Sequence, residues 1–140
     1  MTIDWRYTVE DDLGVLSVAG YLGPDAVHRF SGAVGWALAR GTGPVIVDLS
    51  DLRSWSTEGQ LAIADAARNL AAAGRTLELA AIPADGSLVP TSDGPPIPVH
   101  ADLAAARAAH GLHGAGHVEH VAGRHEWRTT GWPTEEQAGE

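Results

Sequence analysis

The sequence predicts an α/β fold: a central mixed sheet of four to five strands, opened by an N-terminal hairpin and covered by packed helices. Three observations carry this. Val45-Ile46-Val47-Asp48-Leu49 is a short, β-branched run behind a Gly-Thr-Gly-Pro turn, the pattern of a strand buried on both faces. Helical stripes flank it, with Val27, Phe30, Val34 and Leu38 before and Ile63, Ala67 and Leu70 after; apolar residues spaced by three and four form one face of a helix. Trp5–Val9 and Val15–Ala19 are short runs separated by a charged turn, which reads as a hairpin.

Taken in order, the hairpin turns at Glu10-Asp11-Asp12, and Gly14 and Gly20 bound its second strand. Pro24-Asp25 starts the first helix, since proline suits a first helical turn. Trp36 falls off the stripe of that helix, and Gly41 and Gly43 end it. After the Val45–Leu49 strand, residues 50–56 read as a polar loop. Thr57 with Gln60 fits a capping box opening the second helix. Gly74 is placed to cap its C-terminus, and Leu77–Ile82 reads as the next strand. A strand-helix-strand series of this length implies a parallel pair with a crossover.

Residues 83–100 differ in composition: the stretch holds five of the eight prolines and reads as a long Pro-rich loop, a solvated connection in preference to a contact surface. Ala101–His110 reads as an Ala-rich helix ending at Gly111, and His117–Val121 as a last short strand. Residues 122–140 read as a polar C-terminal tail. The whole is one domain, 1–140.

Composition narrows the function. The net charge of −9 argues against nucleic acid and allows a basic protein partner. Every one of the nine basic residues is Arg, so lysine-dependent Schiff-base and P-loop chemistry is excluded. There is no Cys, hence no disulfide and no thiol chemistry. No apolar run reaches the length of a membrane span, and the N-terminus does not read as a signal peptide; the expected location is cytoplasmic. No nucleophile elbow, dinucleotide fingerprint or P-loop is found, and neither a catalytic residue nor a cofactor is expected.

Asp48-Leu49-Ser50 and the Ser56-Thr57-Glu58-Gly59 segment resemble the STAS domain of bacterial anti-sigma factor antagonists. In that family an apolar strand ends in Asp-Leu-Ser, and Asp-Ser-Ser/Thr-Gly opens the following helix. The resemblance runs in register over roughly residues 8 to 82 and more loosely to 121; it implies a STAS-like sheet, and it makes the 83–100 loop an insertion, since the family crosses that point in a few residues. It puts Ser56 at the family's Asp, Thr57 at its phosphorylated Ser and Glu58 at the next hydroxyl residue. Gly23 stands where the family carries an Asp. By the resemblance, the chain is a regulatory protein–protein interaction module. It docks on an anti-sigma factor that is a Ser/Thr kinase of the histidine-kinase-like ATPase type. Thr57 is then the phosphoacceptor, with Ser56 as alternate, and Asp48, Arg53, Trp55, Ser56, Glu58 and Gly59 form the partner-binding set.

Each assignment has a plainer reading. A hydroxyl at a helix start is commonly only a cap. Glu58 supplies a fixed negative charge beside Thr57, so the alternative is a STAS sensor or scaffold that is never phosphorylated. Trp55 reads as buried under the corner in preference to serving as an exposed anchor. His110, His113, His117, His120 and His125 raise the other alternative, a small metal-binding enzyme. Their spacing matches no helical zinc motif, and no metal site is assigned. Homodimerisation is compatible with the sequence.

Overall fold

The computed structural model describes residues 2–10, 12–82, 97–111 and 124–128. Its elements are β1 (Ile3–Glu10), β2 (Leu13–Leu22), a 3-10 turn (Pro24–Ala26), α1 (Val27–Leu38), β3 (Val45–Trp55), α2 (Thr57–Ala72), β4 (Leu77–Ala80), β5 (Val99–His100), α3 (Leu103–Ala109) and β6 (Arg124–Arg128). The six strands form one mixed sheet in the order β5-β4-β3-β2-β1-β6. β1 is antiparallel to both β2 and β6, while β2, β3, β4 and β5 run parallel. The α/β fold with its N-terminal hairpin is as the sequence predicts, and the two crossover helices α1 and α2 lie where the stripes put them.

Three stretches differ from the expectation. The polar loop at 50–56 does not exist: β3 continues to Trp55 and pairs with β2 as far as Leu22↔Trp55. The reason is a pair of register shifts, one between Ser17 and Ala19 and one between Gly20 and Tyr21, each opposite one extra residue of β3. A bulge inserts a residue and shifts which side chains face the core. Leu49, Leu52 and Trp55 therefore all join the core beneath α1 and α2. Their spacing of three is hidden from a search for alternation.

Second, Arg124–Arg128, which the sequence places in the polar tail, is instead the edge strand β6, paired with Arg6–Glu10 of β1. Ladder bonds come from the backbone, so a polar segment can satisfy the open edge of β1 without an apolar face. Third, the last two residues of the expected 83–100 loop form β5 against Leu79 and Ala80; residues 83–96 lie outside the described residues. So do His117–Val121, read from the sequence as a strand.

The sheet has two unlike faces, because side chains alternate along each strand. On one, Ile3, Tyr7, Leu16, Val18, Val45, Val47, Leu77 and Leu79 pack against Phe30, Ala33 and Val34 of α1 and Ile63, Ala67 and Leu70 of α2. On the other, Leu13, Ile46 and Ala80 meet Ala106 and Leu103 of α3. Thr8, Ser17, Asp48 and Glu78, the buried polar residues of the described strands, all fall on this second face by register.

α2 ends in a Schellman motif: Gly74 (φ 77°) donates to Ala71 O, and Arg75 N to Leu70 O. Glycine enters this left-handed position without a Cβ penalty. The turn sends the Arg75 side chain back onto α1. Its guanidinium donates to Gly43 O (2.6 Å) and Ala37 O (2.8 Å), a buried cation on the negative end of a helix. Tyr7 Oη donates to Arg40 O at 3.1 Å beside it.

Candidate functional site

The site is the corner where β3 hands over to α2. Asp48 sets its geometry from inside. Its Oδ1 accepts from Ser50 N (3.1 Å) and Ser50 Oγ (2.6 Å), and its Oδ2 from Ser17 Oγ (3.3 Å). The first bulge of β3 is thus tied to its own strand and to β2. Asp48 is buried. As a member of the partner-binding set it is corrected: a carboxylate enclosed and already triply hydrogen-bonded holds the corner in shape and is not offered to a partner.

Trp55 is buried, as the sequence predicts, and its place in the partner-binding set is corrected in the same way. It is 7% exposed and belongs to the apolar core; the bulges turn it inward. Its Nε1 is buried with no hydrogen-bond acceptor among the described residues. Arg53, on the opposite side of the strand, is exposed.

The cap is one residue earlier than expected. Ser56 (φ −97°, ψ 173°) is the N-cap, and its Oγ accepts from Gly59 N at 3.0 Å. Thr57 is the first helical residue. The Thr57–Gln60 capping box does not form, because the third helical residue after Ser56 is Gly59, which has no side chain to reach back. Gln60 instead contributes its N–H to Ser56 O at 3.0 Å.

Gly59 is required by a close approach. Leu22 O accepts from Ser56 N at 3.0 Å, and a Cβ on Gly59 would lie 2.1 Å from the same oxygen. The end of β2 and the first turn of α2 are pressed together through this one carbonyl, so any side chain at 59 pries the corner open.

What remains outward is small and specific. Thr57 and Glu58 are exposed at the helix start, with Ser50, Asp51 and Arg53 exposed on the strand. Of the two neighbouring hydroxyls, that of Ser56 is occupied by the cap, whereas Thr57 stands in solvent. Free N–H groups and a positive dipole end make a helix N-terminus favourable for negative charge. Glu58 already exploits this. Leu61, one turn beyond Thr57, is 43% exposed. Sequence reasoning missed it, although it falls off the Ile63–Ala67–Leu70 stripe and that was the available signal.

Of the C-terminal histidines, His110 is the C-cap of α3 and its Nε2 contacts Glu78. His113, His117 and His120 lie outside the described residues, and His125 is placed only as a backbone position in β6. Among the described residues no group of three or more His, Cys, Asp or Glu is set to hold a metal ion, and no described helix is long and apolar enough to cross a membrane.

Comparison with known proteins gives one sequence family and one fold. The family described as Mlab, STAS domain matches residues 5–88. A putative anti-sigma factor antagonist from Thermotoga maritima superposes with a TM-score of 0.56 at 16% identity, over 76% of this chain and 92% of that one. The anti-sigma factor antagonist SpoIIAA, in its unphosphorylated form, superposes with a TM-score of 0.50 at 19% identity, over 74% of this chain and 91% of that one. A protein designated Mglu shares 21% identity over 52% of this chain with a TM-score of 0.46, and the chain spans 18% of its length. No curated protein sequence matches the chain with significance.

Proposed function

The chain belongs to the STAS domain family, and from that premise we propose that it is a regulatory binding module acting as an anti-sigma factor antagonist. Its partner is an anti-sigma factor of the histidine-kinase-like ATPase type, and Thr57 is the residue that this kinase phosphorylates. The module works in the cytoplasm by binding, not by catalysis. One observation carries the reading: Thr57 presents a free hydroxyl at the N-terminus of α2, while the adjacent Ser56 hydroxyl is committed to the cap.

The chemistry follows from charge. The unmodified corner offers Thr57 and the apolar Leu61 on one side of α2, with Arg53 and Glu58 beside them. A phosphoryl group adds about −1.5 to −2 charges at neutral pH. Beside the carboxylate of Glu58 it turns a mixed surface into a strongly anionic one. Docking then fails by like-charge repulsion and by the cost of desolvating the phosphate. Modification of Ser56 is disfavoured, because it would remove the acceptor for Gly59 N.

Glu58 supports a second reading. Its exposed carboxylate at the helix start imitates part of a phosphate's field permanently, which suits a STAS scaffold or sensor without a switch. Calorimetric titration of the purified ATPase-type anti-sigma factor from the same genome separates the two. The switch reading expects wild type and Thr57→Ala to bind alike and Thr57→Asp to bind more weakly, by on the order of tenfold. Equal binding of all three favours the scaffold, and no binding by any of them overturns the choice of partner.

A further inference from the structure

The second face of the sheet is held in an unusual way. α3 has seven residues, Leu103–Ala109, started by Asp102, whose Oδ1 accepts from Ala105 N at 2.8 Å. So short a helix does not persist in water without tertiary support. Its apolar support is thin: Ala106 is the one fully buried residue, and Leu103 packs partly buried against Leu13, Ile46 and Ala80.

Two polar clamps do the rest, one toward each side of the sheet. Arg107 meets Glu10 of β1 in a two-pronged pair, Nη1–Oε1 2.5 Å and Nη2–Oε2 3.2 Å. His110 Nε2 lies 3.0 and 2.9 Å from the two oxygens of Glu78 on β4. The same carboxylate takes His100 Nε2 of β5 at 2.8 Å. Glu78 thereby joins the two weakest elements, a two-residue strand and a two-turn helix, to the sheet. It is 9% exposed, so its charge depends on these partners for compensation.

We propose that α3 is a detachable cover on the second face of the sheet, latched by Arg107–Glu10 and by His110–Glu78–His100, that opens while the α1/α2 face stays folded. The physical basis is the contrast in what each face stands to lose. Undocking α1 or α2 exposes large side chains such as Phe30, Ile63 and Leu70, and is equivalent to unfolding. Undocking α3 exposes one Ala and part of one Leu of the helix, with the small patch of Leu13, Ile46 and Ala80 beneath them, and returns Arg107 and His110 to water, where their polar groups are solvated again. Segments with few apolar contacts open at the low end of a protein's stability range. The opening uncovers Leu13, Ile46 and Ala80, and brings the Glu10 and Glu78 carboxylates to the surface of an already acidic chain. The proposal stands apart from the reading of Thr57.

Native-state hydrogen exchange with mass spectrometry on the full chain tests it, using wild type, Glu78→Gln and Arg107→Gln. The expected wild-type result is exchange in residues 103–111 faster than in α2 by on the order of a hundredfold. Each variant should accelerate 103–111 by a further factor of roughly ten, with α1 and α2 unchanged. Exchange of α3 at the rate of α2 in the wild type overturns the proposal, because α3 would then open only with the whole domain. Equal acceleration of α2 and α3 in the folded variants overturns it as well. If Glu78→Gln does not fold, Arg107→Gln and the wild type still decide.

Discussion

One face of this sheet is built to hold and the other to hold lightly. Beneath α1 and α2 the core is continuous and apolar, running from Ile3 through Phe30 and Ile63 to Leu79. Beneath α3 the apolar cluster is Leu13, Ile46 and Ala80, met by Ala106 of the helix, and the neighbouring strand positions carry Thr8, Ser17, Asp48 and Glu78. The chain thus keeps its stability on the first face and its buried polarity on the second. Buried carboxylates are tolerated on the second face because each has its partners: Ser17 and Ser50 for Asp48, His100 and His110 for Glu78. The corner at Thr57 borrows from both, with Trp55 in the apolar core and Asp48 on the polar side fixing the bulge.

Substitutions sharpen the contrast. Phe30→Ala removes a fully buried ring from the apolar face and should destabilise the protein by about 3–5 kcal/mol, seen in denaturant unfolding as a lower midpoint. Arg75→Ala leaves the carbonyl of Gly43 without the Arg75 donor and takes from Ala37 O the bond it accepts beside that of Arg40 N, and should cost about 2–3 kcal/mol in the same assay. Gly59→Ala forces a Cβ against Leu22 O; a cost of about 1–3 kcal/mol is expected, with lost partner binding even where the fold survives. Ala106→Gly, on the lightly held face, should cost about 1–2 kcal/mol, from helix propensity and one buried methyl. Its effect should show as faster exchange of α3 more than as a shift of the global midpoint. The comparison breaks if Ala106→Gly unfolds the protein as severely as Phe30→Ala. Leu61→Ser, on the exposed side of α2, should change stability by less than about 0.5 kcal/mol while weakening partner binding in a titration.

Much of this was legible in the sequence, and the exceptions have physical causes. The two crossover helices announced themselves through Phe30, Val34, Ile63 and Leu70, whose spacing follows the helical period. The corner was located correctly, at residues 56–59, but its details were not readable. A cap is decided by one backbone angle, and Ser56 and Thr57 are chemically interchangeable in that role until ψ at Ser56 is known. Two bulges disguised the second half of β3 as a loop. β6 was illegible because its pairing lies in the backbone. The Glu78 latch joins β4, β5 and α3, elements distant in sequence, and neither residue spacing nor periodicity signals such a meeting.

The proposed switch stands or falls with Thr57 as the hydroxyl that is modified. The direct test is incubation of the purified chain with ATP and the proposed ATPase-type kinase, followed by intact-mass measurement of wild type, Thr57→Ala and Ser56→Ala. The account predicts one phosphoryl group on wild type and on Ser56→Ala, and none on Thr57→Ala. An unmodified wild type, or a Thr57→Ala protein that gains the same mass, would contradict it.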